Sequence, residues 1–559
     1  MKNWIEKNQG KLWFSIMLNA IVLVTLLLIY RPAYETNDDI AITTMVNGIK
    51  GVHDTHLVFI HRIVGYVLAA LYAITPAVSW HAVLQYFLLF CGFTGVSFVF
   101  LNKFKNVSYL PVVLIFLYYF AFEGYIHIQF TKTAGILTVA GGTVLFWALF
   151  QKKVHKRAFV FGFILAIFGS FYRINQFMCE IGLLSALGII FLFNLKGISK
   201  KEKSKRIITC IVSFGLLFII GFGAYKLDMM EYDATEEWEY YMDYQNARSA
   251  LLDYGFPNYE KNEAAYKAVG IDEVTYEMFD MWTHQDPEKI TVEKMRSILE
   301  LKEPKAINRT FFQKFARKMM NGIWDVNAFI CCLILGVVWL FTGKKSFSSL
   351  LTLAYEAGVV VMIYIYLYYQ GRCLRNRVDV GIWMAVAVLL LWLIAEGKQK
   401  LSKTVSITVL LAVLAVTSWQ WKGDFRMNQK DVEKSYQEEK AVLTEIDTDD
   451  DHLYLTKTFT VSFAKAYGVF EGMPLGLGDN MYPLGGWTAQ SEPYRAVLDR
   501  YGVVNPFRDI INNEKVYIVD IDIDLTMEYI NNWYDENAEA VFVKNIGQHS
   551  VYKVISQGE

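Results

Sequence analysis

The first polar residues after the first hydrophobic segment, Tyr34-Glu35-Thr36-Asn37-Asp38-Asp39, set two adjacent carboxylates at the edge of an apolar run. Burying them bare would cost several kcal/mol each, so they must be solvated, paired or bound to a cation. A carboxylate there can accept a proton from a hydroxyl group or hold a divalent ion such as Mg or Mn. Asp38 and Asp39 are therefore the candidate catalytic residues, and the candidate ligands of any metal. The same residues also suit a helix start, with Asn37 as N-cap and two acids in the first turn. Ile42, Met45, Val46 and Ile49 follow at helical spacing with Thr43, Thr44 and Asn47 on the other face, as in a short helix lying in a membrane interface.

Other polar residues cluster at the ends of apolar runs: His53, Asp54, His56, His61 and Arg62; then Glu123, His127, Gln129 and Lys132; then Arg173, Asn175, Gln176 and Glu180. Arg372, Arg375 and Arg377 form the densest cationic group. The planar guanidinium fork suits phosphate, so these three and Arg173 are candidate substrate-binding residues. Pairing with acidic residues or lipid headgroups is the alternative for them, and Glu180 is the alternative partner of Arg173. His56 joins the same candidate set, although His53 and His56 equally suit an interface without ligating anything.

These groups need a scaffold. The chain has 559 residues, 54% hydrophobic and 16% aromatic, with mean hydropathy +0.27, outside the usual soluble range. Runs long enough to cross a bilayer lie near 12–30, 57–76, 81–101, 107–126, 131–150, 158–172, 176–195, 207–225, 325–342, 347–369, 378–396 and 405–421. The expected fold is a polytopic α-helical membrane protein of about 12 spans, with an extracytoplasmic helical insert and a C-terminal soluble α/β domain. The first run has no small-residue cleavage site and reads as a retained signal anchor. Cys91, Cys179, Cys210, Cys331, Cys332 and Cys373 lie in or beside apolar segments without metal-ligand spacing and read as free thiols. The net charge of −1 gives no reason to expect a nucleic-acid partner.

Basic loops favour the cytoplasm. Lys103/Lys105, Lys152/Lys153/Lys156/Arg157, the run Lys196–Arg206, Lys344/Lys345 and Lys398/Lys400/Lys403 are separated by even numbers of spans, so all five share one side. The Arg372–Arg377 loop, the insert and the C-terminal domain then lie outside. Lys2, Lys7 and Lys11 put the N-terminus inside as well, but three simple crossings would carry Lys103 out. Either one apolar run before residue 101 is re-entrant or an extra crossing is hidden there.

Four regions result: an N-terminal transmembrane module with the Asp-Asp loop (1–226), an extracytoplasmic mainly helical insert (227–322), C-terminal transmembrane helices (323–421) and an extracytoplasmic α/β domain (422–559). In the insert, 234–253 and 291–302 have helical spacing, and its tyrosines and tryptophans either pack it or stack on sugars. In the last region, Leu453–Thr456, Lys515–Asp522, Ala540–Lys544 and Val551–Ile555 read as strands. The Gly- and Pro-rich segment 472–487 reads as a loop without an element, carrying Tyr482 and Trp487 as candidate substrate contacts.

An acidic pair and phosphate-suited arginines at one membrane face are what a transferase using a lipid-linked phosphosugar requires. Asn37-Asp38-Asp39 after the first span, the following interfacial helix, a dozen spans and an extracytoplasmic C-terminal domain together resemble the GT-C superfamily of polytopic membrane glycosyltransferases. The Tyr482–Trp487 segment Tyr-Pro-Leu-Gly-Gly-Trp resembles an uncharacterised bacterial branch of it. The resemblance implies a multi-pass protein of the bacterial cytoplasmic membrane that serves the cell envelope. It implies transfer of a sugar from a polyprenyl-phosphate donor to a glycan, lipid or protein acceptor, with one of Asp38 or Asp39 as catalytic carboxylate. Two departures stand out: Gln129-Phe130-Thr131-Lys132 occupies the loop where many members carry a second acid, and His53-Asp54-Thr55-His56 only loosely echoes His-Pro-Pro-Leu. A transporter or flippase of a lipid-linked saccharide is the competing expectation, and would show internal repeats and charges at mid-membrane depth.

Overall fold

Long apolar runs satisfy their backbone N–H and C=O groups internally by folding as helices. The computed structural model describes residues 2–104, 106–151, 153–194, 199–397, 399, 401–457 and 460–556. Lys105, Lys152, Lys196, Lys398 and Lys400 of the basic loops lie outside the described residues. The N-terminal half comprises α1 (Leu12–Ile29), α2 (Asp38–Val46), α3 (Arg62–Ile74), α4 (Trp80–Lys103), α5 (Leu110–Tyr125), α6 (Phe130–Phe150), α7 (Lys156–Tyr172), α8 (Ile174–Asn194) and α9 (Lys200–Tyr232). The insert opens with α10 (Glu236–Leu252) and ends with α11 (Arg309–Gly322); α12 (Asn327–Thr342), α13 (Phe347–Tyr369), α14 (Asn376–Ala395) and α15 (Lys403–Gln420) complete the bundle.

Among the described residues nine helices are long and apolar enough to cross a membrane, or ten if α11 and α12, bent by 84°, count as one span. The difference from twelve has local causes. The run 57–76 forms only the 13-residue α3, and 158–172 forms the 17-residue α7. α6 is buried from Phe130 to Leu149 and is the axis of the bundle. α9, α13 and α15 lie at the periphery and expose Ile211, Phe218, Val361, Met362, Leu411 and Val416. Apolar faces of that extent mark a membrane-associated protein.

Both ends of α3 lie at the same end of the bundle. Before it, the His61 N–H donates to Phe171 O at the end of α7 (2.8 Å); after it, Val78 bridges to Glu471 of the C-terminal domain. At the opposite end, Gln9 Nε2 donates to Phe104 O (3.0 Å) and Asn102 Nδ2 to Gly10 O (3.1 Å), which brings Lys7, Lys11 and Lys103 together. α3 therefore starts and finishes at one end of the bundle, an arrangement that matches the re-entrant alternative and leaves the lysine loops consistent with one another. β1 (Ala33–Tyr34) pairs in parallel with β2 (His127–Ile128), fixing the Asp38 segment beside the α5–α6 turn.

The insert packs through its own aromatics: Tyr244, Tyr259, Tyr266 and Phe279 share a core with Leu251 and Ile298. In the C-terminal domain, β3 (Leu453–Thr456), β4 (Met481–Pro483), β5 (Val516–Asp520), β6 (Ala538–Ile546) and β7 (His549–Ser556) form a sheet in the order β4-β3-β5-β7-β6. β3 runs parallel to β4 and β5, while β7 runs antiparallel to β5 and β6. β4 corrects the reading of 472–487 as a pure loop. Its three extended residues lie between flanking glycines and complete the sheet edge, a pairing that local composition cannot reveal.

α6 and α7 approach at backbone distance through glycines. A Cβ on Gly141 would meet Gly162 O and Ala166 N at 2.5 Å, and one on Gly169 would meet Thr138 Oγ1 at 2.2 Å. The Gly162 and Ala166 backbone cannot yield cheaply, and behind the Thr138 hydroxyl the Ala134 carbonyl would lie 2.9 Å from the Gly169 Cβ, so small residues set this interface. Gly141→Leu is expected to destabilise the bundle by about 3 kcal/mol or more, read as a lowered melting temperature in detergent, whereas Gly182→Ala, with open space around its Cβ, leaves it unchanged. Equal melting of the two variants would contradict this packing.

Candidate active site

Asp39 and Asp38 are neighbours in sequence with opposite fates. Helical geometry turns successive side chains by about 100°, and here one turns inward and the other outward. Asp39 is 0% exposed. Its Oδ1 takes hydrogen bonds from Gln85 Nε2 (2.9 Å) and the Phe130 N–H (3.2 Å) and lies 3.1 Å from His81 Nε2. α4 and the start of α6 thereby lock α2 in place. The Asn37 side chain makes no capping hydrogen bond, so the helix start is held by this carboxylate.

Asp38 keeps 22% of its side chain exposed. Its Oδ2 accepts from Thr36 Oγ1 (3.2 Å) and stands 3.6 Å from Arg377. Desolvation pushes its carboxyl above the ordinary carboxylate value, Arg377 and Arg173 pull it back and Asp39 adds to the rise. That environment suits a proton acceptor: poor hydration raises the carboxyl's affinity for a proton, while removable electrostatic partners oppose its neutralisation.

The expected interfacial helix is enclosed instead of half-exposed. Thr43, Thr44 and Asn47 are buried together with Ile42, Met45, Val46 and Ile49. The C-terminal domain covers them: Thr44 Oγ1 lies 3.0 Å from Tyr494 OH, and Lys50 Nζ donates to Met481 O (3.3 Å). This cover supplies the polar partners that water would otherwise provide.

Of the cationic candidates, Arg377 reaches Asp38, and Arg173 lies with its guanidinium 4.8 Å from the Phe59 ring and 5.7 Å from that of Phe130. Arg372 pairs with Asp253 of the insert (3.4 Å) and lies over Tyr254 (5.3 Å). Arg375 is exposed and lines a separate groove. His56 is fixed by Asp54 (Nδ1–Oδ1 2.7 Å) and stacks on Trp238 at 4.1 Å, pinning the Asp38 segment to the insert. Tyr482 is buried and donates to Gln285 Oε1 (3.3 Å). Trp487 is also buried, with its ring edge on Phe59 (4.9 Å). Both aromatics therefore serve as packing, and Trp487 contacts the same Phe59 ring on which Arg173 rests.

One residue, Arg248, was not among the candidates, and one candidate, Lys132, has a role that its position alone does not suggest. Arg248 of α10 is buried with one guanidinium nitrogen lacking a hydrogen-bond partner, and it is within electrostatic reach of Asp38. It follows Tyr241 and Tyr244 on the buried face of a helix that has no other basic residue, a spacing legible in the sequence. Lys132 Nζ meets Glu35 Oε2 at 2.5 Å and Glu123 Oε2 at 2.7 Å. Asn327 and Asn376 donate to the same Glu123 carboxylate (2.9 and 2.8 Å). Glu123 is thus a structural counter-ion.

Asp38 and Asp39 do not converge on a common point as a cation pair would, because the Asp39 oxygens are turned to Phe130, His81 and Gln85. Among the described residues no group of three or more His, Cys, Asp or Glu side chains is placed to hold a metal ion. No family model, curated protein or solved structure matches the chain, so the chemistry is argued from this geometry.

Asp39→Ala would leave the buried His81, Gln85 and Phe130 donors without their acceptor. It is expected to destabilise the protein by roughly 3 kcal/mol, while Asp38→Ala, which loses one partly exposed pair, changes stability by less than about 1 kcal/mol. Thermal unfolding of both purified variants checks this, and a reversed ranking would refute the assignment.

Proposed function

We propose that the chain is a multi-pass glycosyltransferase of the bacterial cytoplasmic membrane that moves a sugar from a polyprenyl-phosphate donor to an extracytoplasmic acceptor. The observation that carries the reading is one mostly buried but still accessible carboxylate, Asp38, facing Arg377 (3.6 Å) with Arg173 and Arg248 in electrostatic reach. Arg372 adds to the same field through Arg173. Asp38 and Asp253 set two carboxylates against four guanidinium groups, and a donor phosphate would offset the excess.

In this reading the acceptor hydroxyl attacks the anomeric carbon, a new C–O bond forms, and its proton passes to Asp38. The bond between the anomeric carbon and the phosphate oxygen breaks, and Arg173 and Arg377 stabilise the negative charge left on the polyprenyl phosphate. The aromatic wall of Phe59, Phe130 and Trp487 excludes water and strengthens those interactions. The basic loops at the opposite end, with Lys7, Lys11 and Lys103 grouped, support an outward-facing site.

A second reading, a transporter or flippase of a lipid-linked saccharide, is favoured by three buried carboxyl side chains in apolar helices: Glu180 in α8, Glu356 in α13 and Asp379 in α14. Among the described residues none of the three has a cationic partner; Gln176 donates to Glu180 (2.5 Å) and Tyr364 to Asp379 (2.8 Å). Such acids are what proton-coupled movement uses.

Consumption of a polyprenyl-phosphate sugar by purified protein separates the two. Wild type is expected to cleave the donor, and Asp38→Ala to lose about 10²- to 10⁴-fold while remaining folded. Donor left intact by wild type, with its transfer across vesicles preserved, would favour transport. The pH dependence adds a sign: Asp38 must be deprotonated, so activity falls as pH drops through its raised value. Arg377→Gln removes a charge that lowers that value, and the acid limb should therefore move to higher pH. A shift to lower pH, or none, would argue against Asp38 as the base.

A further inference from the structure

On the other side of the Arg372–Arg377 turn lies a groove of about 710 Å³ between α11 and the ends of α13 and α14. Four cations line it, Lys305, Lys314, Lys318 and Arg375, together with Phe311 and Tyr368, and no carboxylate does. Among the described residues none of the four takes part in an ion pair; Lys305 donates to the Tyr369 carbonyl (2.7 Å). A concentration of unbalanced charge in one concave site asks for an anion.

The turn is shaped to divide its arginines. Gly371 and Leu374 both have positive φ, +78° and +57°, a conformation that a leucine adopts only under tertiary constraint. Leu374 packs where Gly322 lacks a side chain: a Cβ there would lie 2.7 Å from Leu374 Cδ1. With the turn so held, Arg372 and Arg377 reach Asp253 and Asp38, and Arg375 lines the groove.

The surroundings indicate where the anion comes from. α11 meets α12 at 84°, so when α12 spans the membrane α11 lies across the bilayer face. It buries Phe311 against Tyr368 (5.1 Å) and leaves Phe312 and Met320 exposed, as is Trp324 in the turn that follows it. Apolar and aromatic side chains beside lysines on such a helix sit at the boundary of headgroups and acyl chains. We propose that this groove binds the phosphate of an anionic lipid headgroup, at a site separate from Asp38 and independent of the transferase reading.

Native mass spectrometry of the purified protein, titrated in nonionic detergent with phosphatidylglycerol, with phosphatidylcholine of equal chain length and with inorganic phosphate, tests this. Wild type is expected to retain phosphatidylglycerol in preference to phosphatidylcholine. Lys314→Gln/Lys318→Gln should weaken retention roughly thirtyfold, at about tenfold or less per cation removed, and Arg375→Gln should weaken it independently. Asp38→Asn should leave it unchanged, so failure here and failure of the transferase reading are distinguishable. All three lysine or arginine positions are exposed, which keeps the variants folded. Equal retention of both lipids, or retention unaffected by the Lys314/Lys318 and Arg375 variants, would overturn the proposal. Displacement of the lipid by inorganic phosphate at matching concentration would overturn the assignment to a headgroup and make the ligand free phosphate.

Discussion

The buried Asp39 carboxylate is the constraint on which this end of the bundle depends. A charge without solvent in that position must be met by donors on every open side. The donors come from two separate stretches: His81 and Gln85 on α4, and the Phe130 backbone at the start of α6. α2 therefore cannot slide or rotate without stranding a charge. Gln85 is itself held by Thr133, whose hydroxyl donates to Gln85 Oε1 (2.7 Å), so the lock extends into the central helix. Asp38 inherits its position from this lock, aimed at Arg377 because its neighbour is aimed inward.

The arginines around Asp38 are collected from places far apart in the chain: the α7–α8 junction, α10 of the insert and the α13–α14 turn. Arg372 and Arg377 meet carboxylates, while Arg173 and Arg248 are steadied by contacts that leave charge to spare. Arg173 rests on Phe59 and Phe130, Arg372 shares Asp253, and Arg248 faces Trp282 at 5.3 Å. Aromatic faces hold a guanidinium without neutralising it. A carboxylate in their place would have fixed the arginines equally well and removed the field that an anion would feel. The insert therefore does more than cover the bundle: without it Arg248 and Asp253 are lost and Arg372 has no anchor.

Much of this was legible in the sequence for a physical reason: burial in lipid forces helices, and helices of about 20 residues announce themselves by hydropathy. The arginine triplet stood out because its location opposes the usual distribution of basic residues. Other features depend on tertiary contacts that no local pattern encodes. α3 resembles a span by composition, and only Val78 meeting Glu471 reveals that it returns. Asp38 and Asp39 share every sequence property, and only the positions of His81, Gln85 and Phe130 tell them apart. Tyr482 and Trp487 looked available because glycines and prolines surround them, yet β4 and the insert bury both. Arg248 was readable from its spacing on the tyrosine face of α10, but an acidic helix draws attention to its carboxylates first.

The return of α3 also has a consequence for the site. A helix of 13 residues rises about 20 Å, too short to cross about 30 Å of hydrocarbon, so the chain from Tyr30 to Trp80 remains at one end. Had α3 crossed, Ser79 and the start of α4 would sit at the far end, with His81 and Gln85 unable to reach Asp39. The buried carboxylate and the aborted crossing therefore require one another. The same fold-back leaves Phe59 in contact with both Trp487 and Arg173, and sets His56 against Trp238. One short helix thus determines the side on which the lysines gather, the partners of Asp39 and the wall of the site.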